Sequence, residues 1–168
     1  MKKTFCIIFI ISILLSFCAC SNQNRTMVAP AQFFYCTSNI SFNTQEDVIA
    51  SEIRETADFS NDLTALANDY LSGPSSAHLR SPFPYGSAVL WINTSESELV
   101  FVMNQQFMQL SGIEQSLACS CLSKTFFLLT DAERITIRGR EGISDSKDAV
   151  IMTRDNLLFQ DRSVSPIS

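Results

Sequence analysis

The feature that most constrains this chain lies at its start. Lys2 and Lys3 precede an apolar run from Phe5 to Phe17, thirteen residues long. That length suits a secretory signal and falls short of the roughly 20 residues a spanning helix needs. The run closes on Phe17-Cys18-Ala19-Cys20 and gives way to the polar Ser21-Asn22-Gln23-Asn24. A small residue before a cysteine at this point resembles the site read by lipoprotein signal peptidase, with Phe17 where Leu is usual. Residues 1–19 are therefore expected to be a lipoprotein signal peptide, with Cys20 as the lipidated residue. An uncleaved anchor is the alternative, and either places the domain outside the cytoplasm on a membrane. Residues 20–30, polar and containing Pro30, read as a flexible tether.

The remainder of the chain must supply the fold. About 149 residues of the 168 remain after the signal, enough for one domain with a core that needs neither disulfides nor metal. Losing Lys2 and Lys3 takes the net charge from −5 to −7. An acidic chain repels nucleic acid and anionic lipid, so no nucleic-acid partner is expected. Six cysteines suggest a disulfide framework, but Cys6 and Cys18 fall in the signal and Cys20 is the lipid site. Cys36, Cys119 and Cys121 are left. They allow at most one bridge, from Cys36 to either of the others, or three idle buried thiols.

Hydropathy patterning gives the order of elements. Gln32-Phe33-Phe34-Tyr35-Cys36 reads as a strand. Residues 47–57 fit either a strand, with Ile49 and Ile53 on one face, or a turn of helix. Leu63, Leu66, Ala67, Tyr70 and Leu71 form a helical stripe, with Ser60 as the expected N-cap and Asp62 in the first turn. Gly73-Pro74 stops that helix and opens a Pro-rich loop to Gly86. Residues 88–92 and 99–103 flank a polar turn and read as a hairpin, its second strand buried on both sides. A second helix is expected over about 113–130, with Ala118, Cys119, Leu122, Phe126 and Leu129 on one stripe. Residues 134–138 alternate as a strand, 139–147 form a charged loop, and 149–152 form the last strand. The resulting class is α+β, two helices packed on one face of a small mixed sheet.

No residue constellation demands catalysis. His78 is the sole histidine and sits in the Pro-rich loop without an acidic neighbour in sequence. Ser75-Ser76 lack a nucleophile-elbow context, and Gly139-Arg140-Glu141-Gly142 lacks the Gly-Lys-Ser/Thr of a phosphate loop. The acidic residues read as a solvated surface, and Trp91 and the many Phe as core. No catalytic, cofactor-binding or metal-ligating residue is expected, and no cofactor.

The stretch Asp62-Leu63 through Leu71-Ser72-Gly73-Pro74, then Leu79 and Ser81-Pro82-Phe83-Pro84-Tyr85-Gly86-Ser87, resembles the GerM-type (GerMN) domain. The family's helix ends in Leu-x-Gly-Pro and leads into a Ser-x-hydrophobic-Pro-x-Gly-Thr loop; Ser87 stands here for the Thr. Phe107, Leu110-Ser111, Thr125, Ile135-Thr136-Ile137 and Thr153-Arg154 continue the likeness, which spans 31–156 and leaves 157–168 as a flexible tail. The resemblance implies a compact unit similar to the ring-building domains of secretion systems, and it favours the strand reading of 47–57. It also implies a non-enzymatic lipoprotein acting as a scaffold in sporulation or spore germination, with protein partners in an envelope complex. The contacts would be made by the sheet face or by the 73–86 loop, whose candidate residues are His78, Leu79, Arg80, Phe83 and Tyr85. The alternative is a module binding a cell-wall glycan or small ligand on a platform of Phe83, Tyr85 and Trp91.

The lipid assignment can be checked first. Mass spectrometry of the membrane fraction is expected to find a diacylated Cys20 at the mature N-terminus. Two acyl chains hold a protein where one is marginal. A soluble mature form retaining intact Cys20 would refute the assignment.

Overall fold

The computed structural model describes residues 28–38, 48–57, 62–140 and 149–157. The signal, Cys20, Ser60, most of the 139–147 loop and the tail beyond Leu157 lie outside the described residues.

The chain begins with β1 (Val28–Thr37) and β2 (Ile49–Ala57), paired antiparallel from Val28↔Ala57 to Cys36↔Ile49. Strand β1 thus starts inside the stretch expected to be tether. The ambiguous segment is a strand, but not with the face expected of it. Ile49 is buried while Ile53 is 73% exposed, and the alternate residues Glu52, Arg54 and Thr56 turn inward. Helix α1 (Leu63–Leu71) follows, capped by Asp62 and not Ser60, with the Asp62 carboxylate accepting the Ala65 N–H at 2.9 Å. Its Leu66, Ala67, Tyr70 and Leu71 are buried, as the stripe predicts. Strand β3 (Leu79–Arg80) lies within the Pro-rich loop and pairs with Cys36 and Thr37. Next come the hairpin β4 (Val89–Thr94) and β5 (Glu98–Met103), helices α2 (Gln105–Met108) and α3 (Gly112–Leu129), and strands β6 (Arg134–Gly139) and β7 (Val150–Thr153).

The α+β class stands, with the strands divided between two sheets instead of sharing one. The first has the order β2-β1-β3; the second, mixed, has the order β4-β5-β6-β7. Strands β5 and β6 are parallel, which requires the crossover that α2 and α3 supply.

Helix side chains finish the strand edges. The two-residue β3 covers only the end of β1, so Phe34 presents its N–H and C=O to the helices. The N–H donates to Thr125 Oγ1 of α3 at 3.0 Å, and the C=O accepts from the Tyr70 hydroxyl of α1 at 2.6 Å. Strand β4 is treated alike. The Asn68 amide bonds both the N–H and the C=O of Val89, at 3.0 and 2.9 Å, and Thr64 Oγ1 accepts from Ile92 N–H at 3.2 Å. Unpaired strand edges template association, so this capping blocks edge-to-edge pairing as well as satisfying the backbone.

Tyr70 is also the hub of the core. Its ring stacks on Phe33 at 5.4 Å and meets Tyr35 at 5.0 Å and Phe83 at 5.2 Å; Phe126 beyond it packs on Phe101 at 4.9 Å. Burial pushes the Tyr70 phenol well above its ordinary pKa, so it stays a donor to Phe34 at any physiological pH. Helix α3 is buried over more than the single stripe expected. Cys121, Ser123, Thr125 and Phe127 are enclosed as well as Cys119, Leu122 and Phe126. Arg154 closes its C-terminus by donating to the carbonyls of Phe127, Thr130 and Ala132. Trp91 is not core: it lies on β4, 38% exposed.

Thr125→Val keeps the shape of the side chain and removes the acceptor for Phe34 N–H. The expected cost is about 1–3 kcal/mol, the penalty for a buried unpaired donor. A urea melt with an unchanged midpoint would show that the edge bond is dispensable.

Candidate functional site

The candidate contact loop runs from Gly73 to Gly86. It begins at Gly73, whose φ of +108° disfavours any side chain, and whose N–H bonds the Tyr70 carbonyl at 3.2 Å. Pro74 then bars another helical turn. The loop does not run free. Glu52, reaching from β2, accepts the N–H groups of Ser75 at 2.9 and 3.1 Å and of Ser76 at 2.9 Å. Arg54, two residues on along the same face, donates to the Gly73 carbonyl at 3.2 Å and to the Tyr35 hydroxyl at 3.1 Å. Its guanidinium lies 4.5 Å from the Phe33 ring centroid, 3.5 Å from Glu52 Oε1 and 3.8 Å from Asp69 Oδ2.

Further along, Ser38 N–H bonds the His78 carbonyl at 2.9 Å, and β3 ties Leu79 and Arg80 to β1. Phe83 N–H bonds Ser81 Oγ at 3.1 Å. The loop closes in a turn from the Pro84 carbonyl to Ser87 N–H, with Gly86 at a φ of +80° and its carbonyl held by Asn104 at 2.7 Å. The loop is therefore a fixed ridge. Hydropathy and motif reading miss the clamp: Glu52 passes for surface charge, and Arg54 draws no notice. The signal is present nonetheless, since Glu52 and Arg54 alternate on one face once 49–57 is a strand.

The five candidate residues separate. His78, Arg80 and Tyr85 are exposed, Tyr85 fully. Leu79 is half-buried and packs on the core. Phe83, expected at the contact surface, is instead 7% exposed, seated between Tyr70 and Phe107, because the Ser81–Phe83 turn directs its ring inward. That burial also breaks up the platform of Phe83, Tyr85 and Trp91 that glycan binding would use.

Beside the ridge lies a groove of about 500 Å³ between the loop and the start of α3. Pro82, Pro84, Leu110, Ile113 and Leu117 make it apolar, with Arg80 and Glu114 as its charges. Ile113 is 75% exposed. An apolar trough with one cation, one anion and a neighbouring tyrosine can grip a protein segment. Among the described residues no group of three His, Cys, Asp or Glu could hold a metal, and no helix is long and apolar enough to cross a membrane.

No family model and no curated protein matches the sequence. Among solved structures, the tandem GerMN domains of the sporulation protein GerM from Bacillus subtilis match with a TM-score of 0.55 at 18% identity. The match covers 73% of this chain and 42% of that one, so this chain corresponds to less than half of the tandem structure. A structure described as a putative lipoprotein from Clostridium perfringens gives a TM-score of 0.49 at 10% identity, over 82% of this chain and 95% of that one, too weak to bear on the fold. The first likeness establishes that the chain has the fold of a GerMN domain.

The clamp makes a prediction of its own. Glu52→Ala should destabilise the protein by about 1–3 kcal/mol, since the lost bonds have a charged acceptor. It should also speed hydrogen exchange at the Ser75 and Ser76 amides while leaving β5 amides protected. Unchanged exchange at those two amides would mean the carboxylate does not hold the loop.

Proposed function

We propose that this protein is a non-enzymatic envelope scaffold, held outside the cytoplasm by lipid on Cys20 and acting in sporulation or spore germination. Its contacts to a membrane-bound protein complex are made by His78, Arg80 and Tyr85 on the loop ridge. The observation that carries the reading is the ridge itself. It is anchored from within the domain, yet it presents a tyrosine and an arginine to solvent, two residue types that dominate binding energy at protein interfaces. A surface already fixed loses little conformational entropy on binding. The GerMN fold, shared with a sporulation protein, supports the reading of a sporulation role. Anchoring adds to the effect, since a shared membrane raises the effective concentration of any partner.

A combined variant, His78→Ala, Arg80→Glu and Tyr85→Ala, tests this without touching half-buried Leu79. It should melt within about 3 °C of the parent, as exposed substitutions do, and stay in the membrane fraction. Spore yield or germination efficiency should fall toward that of a gene deletion, scored separately. Full activity in a folded, anchored variant would remove the ridge as the contact surface.

A further inference from the structure

Among the described residues three cysteines, Cys36, Cys119 and Cys121, lie in the core as free thiols. Two of them are brought together by the way β1 lies along α3. The Phe34 N–H bonds Thr125 Oγ1, which fixes the register of strand against helix. From that point, two residues along β1 lead to Cys36, a step of about 6.6 Å. Four residues back along α3 lead to Cys121, a step of about 6.0 Å. Cys36 shares its groove with Leu117, earlier in α3, so the helix runs against the strand and the matching steps set Cys36 beside Cys121. Lys124 of α3, over the Phe34 ring at 4.6 Å, confirms that this face of β1 meets the helix. Cys119, two residues away, points elsewhere along the helix.

Cys36 also lines the apolar groove beside the ridge, together with Arg80 and Pro82. We propose that Cys36 and Cys121 form a disulfide, closed by exchange with a disulfide-class oxidant that enters along this groove.

The surroundings set the chemistry. The neighbouring Cys121 thiol, with a smaller contribution from the Arg80 charge, outweighs burial and lowers the Cys36 thiol below its ordinary value. Cys121 is held as the protonated partner. Burial alone pushes Cys119 up to about 12, leaving it inert. Cys36 loses its proton and its thiolate attacks one sulfur of the oxidant R–S–S–R. A mixed disulfide forms and one RS⁻ leaves, taking up the proton. The Cys121 sulfur then attacks Cys36 sulfur, releasing the second R group as RSH with the Cys121 proton. Two protein thiols are oxidised, one oxidant disulfide is reduced to two thiols, and no metal or oxygen is required. The pairing does not depend on the scaffold reading, and it can fail or hold independently of it.

The test uses full-length folded protein incubated with oxidised glutathione, then alkylated, digested with trypsin and mapped. The expected product joins peptide 26–54 to peptide 81–124, with one alkylated cysteine, Cys119, in the latter. Cys119→Ala should retain the link, and Cys121→Ala should abolish it. Because buried variants can fail to fold, the unmodified protein supplies a second measurement. Its melting midpoint should be higher oxidised than reduced by about 5 °C or more, as closing so long a loop predicts. A Cys36–Cys119 link, a glutathione adduct on Cys36 that Cys121 never displaces, or three alkylatable core cysteines after oxidation would each overturn the proposal.

Discussion

The fold depends on how one residue of β1 completes its backbone hydrogen bonding. Phe34 faces away from β2, and β3 is too short to reach it. Its N–H and C=O would be buried without partners if Thr125 and Tyr70 were elsewhere. Each unpaired group would cost about 1–3 kcal/mol, a large share of the stability of a small domain. The strand can therefore occupy this place only with both helices already docked. The two tyrosines make the dependence reciprocal, since Tyr35 of β1 donates to the Tyr70 carbonyl at 2.8 Å while Tyr70 donates to Phe34.

Helix α1 extends that constraint to the second sheet. Nine residues are too few for a helix to persist alone in water, so its stability is tertiary. Its apolar stripe faces the aromatic cluster, and beside the stripe Thr64 and Asn68, one turn apart, hold the edge of β4. One short helix thus closes an edge in each sheet. The aromatic rings between them add geometry-specific contacts, on the order of 0.5–1.5 kcal/mol per pair beyond their burial.

This dependence on distant partners explains which parts of the fold were legible in the sequence. Elements with a single dominant period were readable: the α1 stripe, its Gly73-Pro74 stop, the hairpin and the alternation of β6. Polar residues with structural duties were not. Thr64, Asn68 and Thr125 carry strand-edge bonds that no hydropathy pattern reports, because their partners lie far off in sequence. Helix α3 misled for a related reason. Its Ser, Cys and Ala residues are small enough to let neighbours approach on several sides, so a helix that reads as amphipathic is enclosed. In the loop, Phe83 and Tyr85 are chemically alike and two apart, and only the turn at Ser81 decides that one faces the core and the other the solvent. The division into two sheets was equally hidden, since strand-like segments do not say which partner they pair with, and β3, two residues inside a Pro-rich loop, has no pattern of its own.

The clamp on that loop shows why its stiffness is more than a by-product of prolines. Proline restricts φ one residue at a time, but the path from Gly73 to Gly86 is fixed by groups beyond the loop: Glu52 and Arg54 on β2, Ser38 just past β1, and Asn104 ahead of α2. Arg54 is mostly buried, and its charge is tolerated because a carboxylate, a carbonyl, a phenol and an aromatic face surround it. An assembly of that kind is costly to desolvate and adds little net stability over apolar packing. Its distinctive effect is positional. It ties the ridge to the same β1–β2 pair that Phe34 locks to the helices, so Tyr85 and Arg80 sit at fixed coordinates relative to the core. A flexible loop with the same composition would fold as well, but it would present those side chains in no single arrangement to a partner.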